Sequence, residues 1–336
     1  MDKVKPLKIE KGMKVSELVE RMKDAGFGAR KIGRASEIVK KMFADKECRV
    51  FFGMAGAMVP AGMKQIVIDL INEKKIDVMV TTGANLTHDL IEALGESHYH
   101  CDTWDDEDFH KKGFDRMYNV LMKNEVYPML EDFFEKHWNE FKECKTIKEF
   151  LSKIGEILSK KNNSQNGNDR KISKRINVGG GEGVRGGLGG AGTGGSILQA
   201  CYEKDVQLYC PALADSGIGL MIWGRKAAGK EIFIDAFEDM KEIIDFAWTS
   251  KKSGVIYIGG GVPKNFIQQS LQFSKGADYG VQITQDAEAG GGSSGAPLEE
   301  GKSWGKLKEG KKYGEDFVDV RIDATVAMPL IFGSVM

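Results

Sequence analysis

The sequence predicts an α/β fold in which helices cover both faces of a doubly wound, mostly parallel sheet. Five short apolar runs are rich in β-branched and aromatic residues, as buried strands are. Segments between several of these runs space their apolar residues three and four apart, as amphipathic helices do. The two patterns alternate along the chain, which is typical of a parallel, Rossmann-like sheet.

Each element follows from its own local pattern. The predicted strands are 48–53, 76–83, 206–210, 254–261 and 279–284. The predicted helices are 62–75, 85–95, 235–254 and 263–273. Pro263 suits the first turn of the last helix, and Gly95 and Gly254 stand where helices are expected to stop.

Composition favours a soluble, globular protein. The chain has 336 residues, 41% of them hydrophobic, which is enough for a large core. A net charge of −1 provides no basic field for nucleic acid, and no apolar run is long enough to span a membrane. The charged start, "MDKVKPLKIEKGMKVSEL", does not resemble a secretory signal, and five scattered cysteines fit a reducing compartment. We therefore expect a cytoplasmic protein without nucleic-acid or membrane partners.

One domain is expected to span residues 1–336, with an N-terminal helical extension over about residues 1–45. The polar and glycine-rich segment 160–195 is predicted to be a mobile loop, with a lid over a site as the alternative. It contains "GEGVRG" (181–186), which fits G-x-G-x-x-G. Glycine is so dense there that the pattern matches again at 187–192, and no strand precedes it, so the match carries no weight.

Loops of small and polar residues follow four of the predicted strands. They are "TTGAN", "PALADSG", "GGGVPKN" and "TQDAEAGGGSSGA". The carboxyl ends of parallel strands share one edge of the sheet, where ligands of such folds bind. Glycine lets backbone N–H groups approach an anion, and the following helix adds its positive end. Such an edge suits a dinucleotide pyrophosphate, although turn formation alone also explains glycine in a loop.

Four of the five histidines lie within residues 88–110. "HYHC" (98–101) beside the acidic "DTWDDEDFH" (102–110) raises the possibility of a metal site. A spaced second pair of ligands is missing, so a solvated acidic loop is the favoured interpretation and no metal is predicted. His88 lies in the first turns of a helix after "TTG", where we expect it to face the ligand edge.

The stretch "EEGKSWGKLK" (299–308) places an indole and an amine two residues apart, with carboxylates just upstream. In an extended segment Trp304 and Lys306 would point the same way, so one cavity could hold both. Taken alone, the stretch also fits a surface turn, since Lys, Glu, Gly and Ser favour exposed turns.

Several ordered motifs together resemble the deoxyhypusine synthase family. They are "ERMKDAGFGARKIGRASEI", "VTTGANLTHDLIEALG", "CPALADSGIG", "YIGGGVPKNFI", "GGSSGA" with "EEGKSWGKLK", and "RIDATVAMPL". The resemblance covers most of the chain and fails mainly at 160–195. It implies transfer of an aminobutyl group from spermidine, with NAD taking up and returning a hydride, to an enzyme lysine and then to an acceptor amine.

The resemblance also implies roles for particular residues. Lys306 would carry the aminobutyl imine, a task that needs a neutral amine. Trp304 would offer its aromatic face to the cationic donor, and the carboxylate of Glu300 would pair with an ammonium. Ser294, Asn265 and His88 would complete the substrate site. The positions implied for NAD are Thr82, Gly83, Asp215, Gly260, Asp323 and Ala324. A homotetramer with sites at dimer interfaces is expected.

The chain departs from the family pattern at several polyamine contacts. His88 stands in place of a glutamate and Asn265 in place of a histidine. Gly290, Ser293 and Leu220 stand where acidic residues are expected. These changes resemble a bacterial and archaeal branch, and they favour a small acceptor such as putrescine or agmatine over the lysine of translation factor 5A. A catalytically weak NAD-binding subunit with a regulatory role is the alternative.

Overall fold

A six-stranded parallel sheet forms the centre of the computed structural model, which describes residues 3–103, 105–176 and 195–336. The strands of this part are β1 Cys48–Met54, β2 Val78–Thr81, β3 Tyr99–His100, β4 Phe114–Met117, β5 Val120–Lys123, β6 Gln207–Tyr209, β7 Lys252–Ile258, β8 Tyr279–Ile283 and β9 Phe317–Val320. The large sheet has the order β6-β2-β1-β7-β8-β9, and every pairing within it is parallel. Strand order reverses between β1 and β7, so the predicted doubly wound fold is confirmed, with its switch point there.

Helices cover both faces of this sheet. The α-helices are α1 Val15–Met22, α2 Phe27–Ala44, α3 Lys64–Asn72, α4 Gly83–Leu94, α5 Asp106–Lys111, α6 Val126–Phe141, α7 Ile147–Ile176, α8 Ile197–Lys204, α9 Gly217–Ala227, α10 Ala236–Thr249, α11 Gly261–Gln272 and α12 Ala324–Gly333. Within the described residues, none of them is both long and apolar enough to cross a bilayer.

Alternate side chains of β1 enter two separate cores. Phe52 and Met54 join the core that contains α2, α3 and α12, whereas Phe51 joins the core that contains α10 and α11. All three side chains are fully buried, and burial of each contributes roughly 1.5–3 kcal/mol. Because both faces are covered, the strands read as continuous apolar runs in the sequence.

Two predicted boundaries around Gly254 are wrong. The helix predicted over 235–254 ends at Thr249, and Gly254 lies inside β7. A Cβ on Gly254 would lie 2.5 Å from Cγ of Met42, so glycine is needed here for the close passage of α2 over the sheet. It does not stop a helix.

The loop predicted over 160–195 is also wrong in its first half. Helix α7 continues to Ile176, and residues 177–194 lie outside the described part. The first turns of α7 bury Phe150, Leu151 and Ile154, which nucleates the helix. Each further residue then adds a hydrogen bond at low entropic cost, so a polar continuation can stay helical.

The remaining differences are additions. Strand β9, which was not predicted, extends the sheet beside β8, and its apolar run is interrupted by the buried Asp319. Strands β3, β4 and β5 form a small antiparallel sheet. The predicted N-terminal extension contains α1 and α2, but α2 packs into the main core through Ile38 and Met42.

Candidate active site

Four helices that follow the loops singled out in the sequence, or the last strand, begin at the carboxyl edge of the large sheet: α4, α9, α11 and α12. Three of them are capped by their own side chains, because Thr82, Ser216 and Asp323 accept hydrogen bonds from backbone N–H groups of the first turn. Helix α11 begins after Gly260 and has no side-chain cap. Its first N–H groups are therefore the best placed of the four to receive an anion.

Two glycines bring the loops at this edge into direct contact. A Cβ on Gly83 would lie 2.5 Å from Cβ of Ser216, and a Cβ on Gly260 would lie 2.3 Å from Cα of Ser294. Only glycine allows approaches this close. The "TTG" loop therefore meets "DSG", and "GGG" meets the Gly–Ser loop, which we define as residues 290–297. Asp215 is exposed just before α9, and Asp323 and Ala324 begin α12.

A buried lysine anchors the Gly–Ser loop. Lys264 on α11 is 2% exposed, and its Nζ donates to the carbonyl oxygens of Ser293 and Ala296, each at 2.7 Å, and to Oε1 of Gln282 at 2.8 Å. Gln282 on β8 in turn donates to the carbonyl oxygen of Ser294 at 2.8 Å. Burial lowers the pKa of Lys264 to about 8. Sequence reasoning missed this residue, whose only signal is a lysine on the apolar side of "GVPKNFI".

Asp319 on β9 holds the next segment. Its carboxylate accepts from the backbone N–H of Leu298 at 3.1 Å and from the hydroxyl of Tyr313 at 2.9 Å. This fixes the start of a short 3₁₀ helix, Leu298–Lys302. The chain then turns, and the N–H of Lys306 donates to the carbonyl oxygen of Gly301 at 2.9 Å.

A cleft of about 820 Å³ opens between α11 and the segment 288–306. Lys306 Nζ lies 4.9 Å from the centroid of the Trp304 ring, within cation–π range, and the indole is 55% exposed. Glu300 and Asn265 line the same cleft. The structure thus brings together four residues that the sequence pattern singled out.

Other residues of the cleft differ from the sequence expectation. Ser293 lines the cleft, whereas Ser294 lies behind it against Gly260. Glu288, which sequence reasoning missed, adds a second carboxylate to that of Glu300. Leu220 lies on α9 and is 56% exposed.

His88 does not line this cleft in the single chain. Its Nδ1 lies 3.0 Å from Nε2 of His98, and Nδ1 of His98 lies 2.7 Å from Oε1 of Glu92. Oε2 of Glu92 is 2.5 Å from Nζ of Lys64. Burial and the neighbouring His98 lower the pKa of His88 from its ordinary value of 6.5 to about 4.

Lys64, Glu92 and His98 also line a second cleft of about 620 Å³. Burial acts to raise the pKa of Glu92, but the hydrogen bonds from His98 and Lys64 outweigh it and the pKa is lowered. Glu92 is therefore ionised, and each of its two carboxylate oxygens has a partner, His98 or Lys64.

Comparison with known proteins assigns the family. A model described as deoxyhypusine synthase matches residues 17–335. "Probable deoxyhypusine synthase 1" of Methanosarcina acetivorans is 38% identical, covering 99% of this chain and 94% of its own length. The protein of the same description from Archaeoglobus fulgidus is 35% identical, covering 96% and 94%.

A solved structure shares the fold. The "putative deoxyhypusine synthase" of Entamoeba histolytica has a TM-score of 0.59 at 19% identity and covers 96% of this chain and 92% of its own. With the family match over nearly the whole length, the chain belongs to the deoxyhypusine synthase family and is a transferase of that type.

Proposed function

We propose that this protein uses NAD to transfer an aminobutyl group from spermidine, or a related polyamine, through Lys306 to a small acceptor amine. The observation that supports this most directly is the joint presence of Lys306, Trp304 and Glu300 in one cleft. Lys306 supplies the nucleophile, Trp304 an aromatic face for a cation, and Glu300 a carboxylate for an ammonium.

The residues of the carboxyl edge fit a dinucleotide. The uncapped start of α11 suits a pyrophosphate, and Asp215 and Asp323 offer carboxylate oxygens to ribose hydroxyls. When bound, NAD supplies the hydride acceptor and donor. The Gly–Ser loop joins the two regions, because its Ser294 touches Gly260 while its Ser293 lines the cleft.

The charge of the cleft favours a short acceptor. Its lining includes two carboxylates, Glu288 and Glu300, and two lysines, Lys264 and Lys306. An ammonium taken from water without a partner costs several kcal/mol, so a tricationic donor already uses the available carboxylates. A diamine or a guanidino-amine such as agmatine then needs fewer further partners than a protein segment carrying a lysine.

Chemical trapping tests the transfer. The protein is incubated with NAD and spermidine, reduced with borohydride and digested, and the mass added to Lys306 is measured. We expect an aminobutyl adduct on Lys306 that is absent from Lys306→Ala. Lys308→Ala is the matched control, because Lys308 lies two residues away and pairs with Asp278 at 2.9 Å. Absence of any adduct would favour the alternative of a regulatory NAD-binding subunit.

A screen of acceptors tests the second half of the proposal. Three acceptors are tested separately: putrescine, agmatine and a translation factor 5A from the same organism. The products are identified by mass spectrometry. We expect the small amines to be alkylated faster. Efficient modification of the factor with no product from the small amines would establish the protein acceptor instead.

A further inference from the structure

The hydrogen-bond chain Lys64–Glu92–His98–His88 has a defined direction. The carboxylate of Glu92 only accepts, so the ring nitrogen of His98 at 2.7 Å, Nδ1, must carry a proton. A neutral His98 then has a bare Nε2, which requires a donor. The donor available at 3.0 Å is Nδ1 of His88.

The direction of these hydrogen bonds determines whether Nε2 of His88, at the end of the hydrogen-bond chain, is a donor or an acceptor. With its proton on Nδ1, a neutral His88 has a bare Nε2. Within the described residues that atom makes no hydrogen bond, yet it is not among the fully enclosed polar atoms that lack a partner. It is therefore not completely enclosed and is reached by solvent.

Charge balance supports the neutral form of both rings. Lys64 already compensates the carboxylate of Glu92 at 2.5 Å, and the side chains of Lys64 and His98 are only 10% and 6% exposed. A second cation at His98 would share the carboxylate of Glu92 with the ammonium of Lys64. The lowered pKa of His88, about 4, agrees with a neutral ring at pH 7.

We propose that Glu92, acting through His98, is a positioning residue that keeps His88 in the Nδ1–H tautomer, so that Nε2 of His88 accepts a hydrogen bond from an amine substrate. His88 thereby offers an acceptor without a negative charge. The part concerning the amine rests on the proposed function, whereas the tautomer does not.

The substitution Glu92→Gln tests the direction of the chain. The ammonium of Lys64 needs an acceptor, so it orients the amide with its oxygen toward Lys64 and its NH₂ group toward His98. Nδ1 of His98 must then accept, and its proton moves to Nε2. His88 responds by carrying its own proton on Nε2, which reverses the free end from acceptor to donor.

Nitrogen-15 spectra of histidine-labelled protein at pH 7 report these tautomers directly. We expect wild-type His88 and His98 to carry their protons on Nδ1, and both to switch to Nε2 in Glu92→Gln. Glu96→Gln is the matched control. Glu96 lines the second cleft together with Glu92 but is not part of the hydrogen-bond chain. A wild-type His88 that is doubly protonated, or protonated on Nε2, would overturn the proposal even if the variant does not fold.

Kinetics test the contact with the amine. In Glu92→Gln we expect KM for the amine to rise on the order of tenfold, because Nε2–H of His88 would then face the N–H of the amine, and both groups are donors. The affinity for NAD should not change. Switched tautomers with an unchanged KM would overturn the amine contact. Loss of the Lys306 adduct in wild type would instead overturn the proposed function and leave the tautomer result standing.

Discussion

Trp304 is the residue whose contribution to substrate binding can be isolated most cleanly. Its indole is half exposed, so its truncation opens no cavity in the core. Its ring centroid lies 4.9 Å from Lys306 Nζ, which places any amine bound beside Lys306 close to the same aromatic face.

We expect Trp304→Leu to weaken binding of the polyamine donor by about 0.5–2 kcal/mol, the range of a cation–π contact, or roughly 2- to 30-fold. The affinity for NAD and the melting temperature should hardly change. Isothermal titration measures the affinities for spermidine and NAD, and thermal unfolding measures the melting temperature. Trp304→Phe, which keeps an aromatic face, should recover part of the loss, and equal losses in both variants would contradict a cation–π role.

His88 should make stability depend on pH. Its pKa is about 4 in the folded protein and 6.5 ordinarily, so the unfolded chain binds more protons between these values. The stabilisation is complete above pH 6.5 and is lost as pH falls toward 4, by up to about 3 kcal/mol. The free energy of unfolding, measured with urea at several pH values in this window, should depend less steeply on pH in His88→Asn than in wild type. A pH dependence of stability in His88→Asn that equals that of wild type would contradict this effect of His88.

At the scale of elements, the Gly–Ser loop is held by contacts from helix α11 and strand β8. Helix α11 contributes Lys264, strand β8 contributes Gln282, and the start of α11 presses Gly260 against Ser294. Motion of this loop would therefore affect the carboxyl edge and the cleft together.

We expect Gly260→Ala to lower both NAD affinity and transfer at least tenfold. Its Cβ would lie 2.3 Å from Cα of Ser294, a backbone atom that cannot rotate away. Overpacking of this kind costs about 1–3 kcal/mol. Gly28→Ala is the control, because nothing lies within 4 Å of a Cβ there and the new methyl group causes no overlap. Normal NAD affinity in Gly260→Ala would place the cofactor elsewhere.

At the scale of the molecule, the resemblance implies a homotetramer with sites at dimer interfaces. The single chain exposes large apolar side chains on and after α9, with Trp223, Phe233 and Phe237 at 67%, 81% and 86% exposure. We propose that these side chains belong to an association surface, which exposed apolar patches commonly mark.

Light scattering should give four times the mass of one chain. We expect Trp223→Asp to shift the protein toward smaller species, because a charge would be buried in the interface. Lys241→Asp is the control, because Lys241 is a charged residue that pairs with Glu238 of its own helix, and we expect it not to change the mass. A monomeric wild type would contradict both the assembly and the shared sites.

The sequence by itself determined five strands of the large sheet, the helices α3, α4, α10 and α11, and the core of the cleft. Strands covered on both faces must be apolar along their whole length, and Trp304, Lys306 and Glu300 are close because they are neighbours in the chain. Local pattern therefore sufficed for them. Its failures, such as Gly254, arose where a partner distant in sequence sets the requirement, here Met42.

Only the tertiary structure decided which polar groups meet. Lys264 binds oxygens of residues 293 and 296, and Asp319 binds the N–H of Leu298, so their roles depend on how α11, β8 and β9 are arranged. His98 lies ten residues from His88 and reaches it because the chain turns back after α4. A buried charge or imidazole takes its pKa from such partners and from the exclusion of water, and neither is encoded in the residues beside it in the chain.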